Sequence, residues 1–104
     1  MDNIRNTAVL VKEALIHNPK TRNSDNYLYF VICKAKLAGQ GIDIKNINLT
    51  DALLNRESLG LPQFETVRRA RQKIQADNPE LKGTSEVEAM RAIKEEAFRD
   101  FARG

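Results

Sequence analysis

The sequence predicts an all-α protein, a compact bundle of about five helices containing a helix-turn-helix-like pair. Three observations carry that expectation. Apolar residues recur mostly at three- and four-residue spacing, the period of a helix face. Four of the five glycines and all three prolines gather at the joints, as in Asn18-Pro19, Gly39-Gln40-Gly41 and Gly60-Leu61-Pro62, with Pro79 close to Gly83. Several segments between those joints open on a residue suited to capping a helix. With 104 residues and no internal repeat, low-complexity block or long linker, residues 1–104 read as one domain.

The first helix is expected over Asn3–His17, where Ile4, Ala8, Val11 and Leu15 form a stripe that Val9 and Ile16 widen. His17 sits in the last turn, suited to the negative end of the helix dipole, and Asn18-Pro19 stops the helix. A second helix opens at Ser24 as its cap, with Asp25 in the first turn. It buries Leu28, Val31, Ile32, Ala35 and Ala38, and Gly39 takes the position just past its end. The β-branched and aromatic run over 27–33 also reads as a strand, but the cap, the closing Gly and the continuation through 34–38 favour helix. Residues 39–46 form a loop in which Ile42 and Ile44 alternate with polar residues, allowing a short extended segment.

A short helix follows over 49–56, capped by Asn48 or Thr50 and burying Leu49, Ala52 and Leu53. After a turn at 56–61, a longer helix is expected over 62–77, with Pro62 in its first turn and Asn78-Pro79 as its stop. The last helix has Ser85 and Glu88 at capping-box spacing, then Val87, Met90, Ile93, Ala97 and Phe101 at helical intervals. Phe98 broadens that apolar face. The face either packs on the first two helices or supplies a homodimer interface through residues 86–102.

Composition removes several function classes. One Cys and one His supply neither a disulfide nor a Cys/His metal site, and the single Cys does not suit a secreted, disulfide-stapled miniprotein. No apolar run reaches the length of a membrane span, and the N-terminus lacks the order of a signal peptide. A cytoplasmic protein is expected. Cys33 reads as a buried thiol and His17 as a helix-end residue. Glu96 and Asp100, four apart, alternate with Arg99 and Arg103 and read as a solvated face. No phosphate-binding Gly loop, Ser/His/Asp set or nucleophile elbow occurs, so the expectation is a non-enzyme without cofactor or metal.

The informative stretch is 49–77. Projected at helical pitch, Phe64, Val67, Ala70 and Ile74 fall on the core side of its longer helix, with Arg71 inside the apolar arc, where it must snorkel or meet a carboxylate. Residues 63–76 hold four cations (Arg68, Arg69, Arg71 and Lys73) against Glu65, a local excess of +3 that equals the net charge of the whole chain. An outer face of Arg, Lys, Gln and Thr has the chemistry of a recognition helix. The cations reach phosphate or guanine, Gln pairs with adenine, and Thr meets phosphate or the thymine methyl. In a helix-turn-helix the first half of the second helix enters the major groove. Gln63, Thr66, Arg69 and Lys73 are therefore the groove-facing candidates, Arg68 and Gln72 flank them, and Lys20, Arg22 and Lys45 in loops could add phosphate contacts. Duplex DNA is the expected partner. An acidic protein surface, as met by a phage inhibitor of a host nuclease or defence complex, is the alternative, and a basic helix by its charge alone serves either.

The string Leu61-Pro62-Gln63-Phe64-Glu65-Thr66-Val67-Arg68-Arg69-Ala70-Arg71-Gln72-Lys73-Ile74-Gln75, preceded by Thr21-Arg22-Asn23-Ser24-Asp25-Asn26-Tyr27-Leu28-Tyr29, resembles a group of small phage and prophage proteins of Gram-positive bacteria. The resemblance covers most of the chain from Asn18 onward. It implies a phage origin, residence in a bacterial host cell, and helix-turn-helix DNA binding in regulation, replication or packaging. In that group a Ser often follows the Pro and would cap the recognition helix; here Gln63 stands in its place.

Overall fold

The structure is a computed structural model that describes residues 3–103, with side-chain surroundings described for 7–97 and 99. Five α-helices follow one another: α1 (Asn3–His17), α2 (Asp25–Ala38), α3 (Leu49–Leu54), α4 (Phe64–Asp77) and α5 (Ser85–Arg103). Single 3₁₀ turns at Pro19–Arg22, Ile44–Asn46 and Pro79–Leu81 sit in the connections. No strand occurs among the described residues, so 27–33 is helical and the segment around Ile42 and Ile44 curls rather than extends.

The core lies where α1, α2 and α4 meet. Val11, Ala14 and Leu15 of α1, Leu28 and Ile32 of α2, and Val67 of α4 are buried together, and Leu81 closes the end. A second cluster of Cys33, Leu37 and Leu61 is covered by Ile42, Ile44, Ile47, Ala52 and Leu59. Tyr29 touches both clusters. Its hydroxyl donates to the Pro62 carbonyl (2.7 Å) and its ring meets Phe64 at 5.4 Å, fixing the start of α4 against α2. Burial, with Cys33 close by, pushes that hydroxyl's pKa up to about 12, and burial raises the Cys33 thiol as well. Cys33 is thus the buried thiol expected of it.

Local signals explain most helix ends. Ser24 accepts from the Tyr27 amide (3.1 Å) and Asn48 from the Asp51 amide (2.8 Å), each satisfying a first-turn donor. Three expectations shift, the first being that α4 begins at Phe64 with Gln63 as its cap, so Pro62 precedes the helix instead of opening it. At the end of α2 the left-handed residue is Gly41, with φ of 77°, while Gly39 remains right-handed at −62°. The cap of α5 is Thr84, whose hydroxyl accepts from the Val87 amide (3.3 Å), so Ser85 is already helical.

Larger differences concern which apolar residues are covered. Val9 and Ile16 stand on the open side of α1 instead of widening its stripe. In α3, Ala52 is the one partly buried residue; Leu49 (74% exposed) and Leu53 (68%) face outward, because the second cluster offers a helix this short only one contact point. The helix-turn-helix-like pair expected within 49–77 is not confirmed: the helices that pack most extensively on α4 are α1 and then α2. Met90 (55%) and Ile93 (62%) of α5 also face outward. The expectations for Ile4, Phe98, Asp100, Phe101 and Arg103 concern side chains outside the described residues.

Polar ties hold α5 in place. Arg91 donates to the Arg22 carbonyl (2.8 Å) and to Glu88 (3.2 Å), the Thr84 amide donates to Asn23 Oδ1 (2.9 Å), and Gln72 donates to Glu95 (2.9 Å). Gly83 is required for that seam, since a Cβ there would lie 2.7 Å from Asn23 Oδ1 and 2.8 Å from the Arg22 carbonyl oxygen. Gly83→Ala is expected to lose about 1–3 kcal/mol, the usual cost of forcing atoms into an occupied space. Urea denaturation reads the loss, and a parental midpoint would contradict the seam's role.

Candidate nucleic-acid interface

Helix α4 presents two flanks, one bonded to α5 and one open. Its N-cap, Gln63, is extended at φ −70° and ψ 148° and makes no side-chain cap bond, leaving the amide group exposed. Gln63 and Thr66 share a cleft of about 360 Å³ with Thr7, Arg56 and Gly60. One turn further, Thr66, Arg69 and Lys73 border a second cleft of about 410 Å³ between α1 and α4, floored by Ala8, Ala70 and Ile74. Arg69 is 75% exposed and lies 3.7 Å from Glu65, while no partner is found for Lys73 among the described residues. The four groove-facing candidates therefore occupy one continuous flank.

Arg68 and Gln72 occupy the other flank, facing α5. Arg68 forks onto Glu65, with Nη2 2.7 Å from Oε2. The hydrogen bond from Arg68, then its charge and that of Arg69, hold the Glu65 carboxyl below the usual carboxylate range. The same bond raises the Arg68 guanidinium. Gln72 is bound to Glu95, and the cleft that Arg68 and Gln72 line also holds Lys94, Glu95 and Arg99. This side is tied up internally, by Arg68 on Glu65 and Gln72 on Glu95, although three cations line it against two carboxylates.

Arg71 is 5% exposed and belongs to the scaffold. Its Nε and Nη2 donate to the two oxygens of Asp25 at 2.7 and 3.2 Å, and its Nη1 donates to Gln75 (3.1 Å). Gln75 in turn donates to the Leu81 carbonyl (2.9 Å), and Arg91 approaches Asp25 at 3.6 Å. Asp25 thereby ties α2, α4 and α5 together. The sequence signal for this was Arg71 itself, a cation on the core side that requires a carboxylate; which carboxylate depends on how α2 and α4 pack.

The loop cations are dispersed. Arg22 is spent on structure, its Nε donating to the Leu15 carbonyl (2.7 Å) and its Nη2 to that of Ile16 (3.4 Å), which satisfies the end of α1. Lys20 and Lys45 are exposed on separate 3₁₀ turns, and no contact or shared cleft among the described residues brings either to Arg69 and Lys73. His17 meets Glu13 at 3.1 Å, as a helix-end residue would. Among the described residues no group of three or more His, Cys, Asp or Glu is placed to hold a metal ion, and no helix is long and apolar enough to cross a membrane. Comparison with protein-family models, curated proteins and solved structures yields no match.

Proposed function

We propose that this chain is a non-enzymatic, phage-encoded protein that binds duplex DNA through the outer flank of α4, in regulation, replication or packaging. One observation carries the reading: of the four cations on this helix, the structure spends Arg68 on Glu65 and Arg71 on Asp25, and leaves Arg69 and Lys73 outward beside Thr66 and Gln63. Arg69 and Lys73 neutralise phosphates, which supplies affinity without sequence information. Gln63 and Thr66, at the leading end of the helix, supply whatever base preference exists. The two contacts of Arg69 and Lys73 alone give a salt slope of about −1.8, so affinity for a random-sequence duplex should fall at least about tenfold between about 50 and about 200 mM salt. Fluorescence anisotropy measures this. Salt-independent binding, or none at the lower salt, would overturn the reading.

A second reading has its own observation. Leu49, Leu53 and Leu54 expose three large apolar side chains on one short helix, which suits a protein partner better than a phosphate backbone. Under this reading the chain docks on a host protein with an acidic surface. Pull-down from nuclease-treated host lysate separates the two: a stoichiometric protein partner supports it, and recovery of nucleic acid alone before treatment, with nothing after it, sinks it. The homodimer through 86–102 belongs to the DNA reading, since outward Met90 and Ile93 would pair across a two-fold site; a sedimentation mass of 11.8 kDa would rule it out.

A further inference from the structure

We infer that the DNA-binding surface is built by two helices, α1 and α4, and that Lys12 of α1 is its third phosphate-binding cation. This rests on the DNA reading and extends it to a helix that the 49–77 pattern does not include. Ala8 lines the same cleft as Thr66, Arg69, Ala70, Lys73 and Ile74, which places that side of α1 against the open flank of α4. Lys12 is one turn further along the same side, about 6 Å up the helix axis from Ala8. It is exposed, and it has no hydrogen-bond or ion-pair partner among the described residues. Val11 and Leu15, its neighbours on the inner side, are fully buried and fix the rotation of α1 about its axis.

The acid closest in sequence does not cancel it. Glu13 is paired with His17 at 3.1 Å, and both lie on the part of α1 turned away from Ala8. Packed helices run about 8–10 Å apart, so Lys12, one turn beyond the lining residue Ala8, would join Arg69 and Lys73 along one line of phosphates. Two carboxylates border this group: Glu65, already held by Arg68, and Asp77, one turn beyond Lys73 on α4. A row of phosphates matches three cations with an apolar floor between two of the helical ridges, where the sugar edge can rest.

The test is the anisotropy titration of the full chain with a random-sequence duplex over a salt series, comparing parent, Lys12→Ala, Lys12→Arg, Lys34→Ala and the double variant Arg69→Ala/Lys73→Ala. Lys34 lies on the outer face of α2 and controls for net charge. Lys12→Ala should flatten the salt slope by about 0.9 and weaken binding about five- to tenfold near 0.1 M salt. Lys12→Arg should keep the parental slope, and Lys34→Ala should cost less than about twofold. If Lys12→Ala matches Lys34→Ala while the double variant is weakened, the two-helix surface is wrong and the α4 reading stands. If the double variant also binds like the parent, or the parent does not bind at all, the α4 reading itself fails.

Discussion

Replacing Arg69 and Lys73 together with Ala is expected to weaken duplex binding about 50-fold near 0.1 M salt, equivalent to about 2.3 kcal/mol. The salt slope should flatten by about 1.8, one phosphate's worth of counterion release for each cation. Arg69 is largely exposed and Lys73 has no partner among the described residues, so the helical circular-dichroism spectrum and the denaturation midpoint should match the parent. Geometry, not overall charge, sets the size of this effect. Arg68 and Arg71 contribute equally to the formal +3, yet their charges are already met by Glu65 and Asp25. A double variant that binds like the parent would remove this flank from consideration.

The largest stability effect should come from Asp25→Ala. It strips both oxygens from a guanidinium that is 5% exposed, leaving Arg71 with only Gln75 beside it. An uncompensated buried charge typically costs about 3–5 kcal/mol, which for a domain of this size lowers Tm by at least about 12 °C. The partial opening of Asp25 to solvent puts the expected value near the lower end. Arg71→Met in the Asp25→Ala background should recover part of the loss, because a pair replaced by apolar groups leaves no orphaned charge. Full recovery is not expected, since Arg91 and the first turn of α2 also use the carboxylate. If Asp25→Ala melted like the parent, the carboxylate would not be the tie between α2, α4 and α5.

Much of the fold was legible because it is written in short-range patterns. Ser24, Asn48 and the Asn18-Pro19 stop act within a few residues, and spacing alone reveals the buried side of α4 at Val67, Ala70 and Ile74. Periodicity says that a helix has an apolar face, but not whether anything covers it. The outward Leu49, Leu53, Met90 and Ile93 show the difference. In α5 the usual logic is inverted: polar groups at Arg91 and Glu95 face the bundle, while Met90 and Ile93 face away. The candidate site divides the same way. Which α4 residues share a flank follows from the helical repeat, whereas the identity of the neighbouring helix does not. Nothing local in residues 3–17 points to residues 64–77, so Lys12 carried no signal, and chain order suggested α3 where packing supplies α1. For Arg22, the guanidinium's use at the end of α1 depends on a turn whose geometry the loop composition leaves open.

The central claim is that DNA lies on the flank shared by α1 and α4. An amide NMR titration of the isotope-labelled chain with a short random-sequence duplex tests it most directly. The largest shifts should fall on Lys12, Gln63, Thr66, Arg69 and Lys73 and fade as salt is raised, while Lys34 and Leu53 stay in place. Shifts centred on α3 or on the outer side of α5, with Arg69 and Lys73 unmoved, would contradict it.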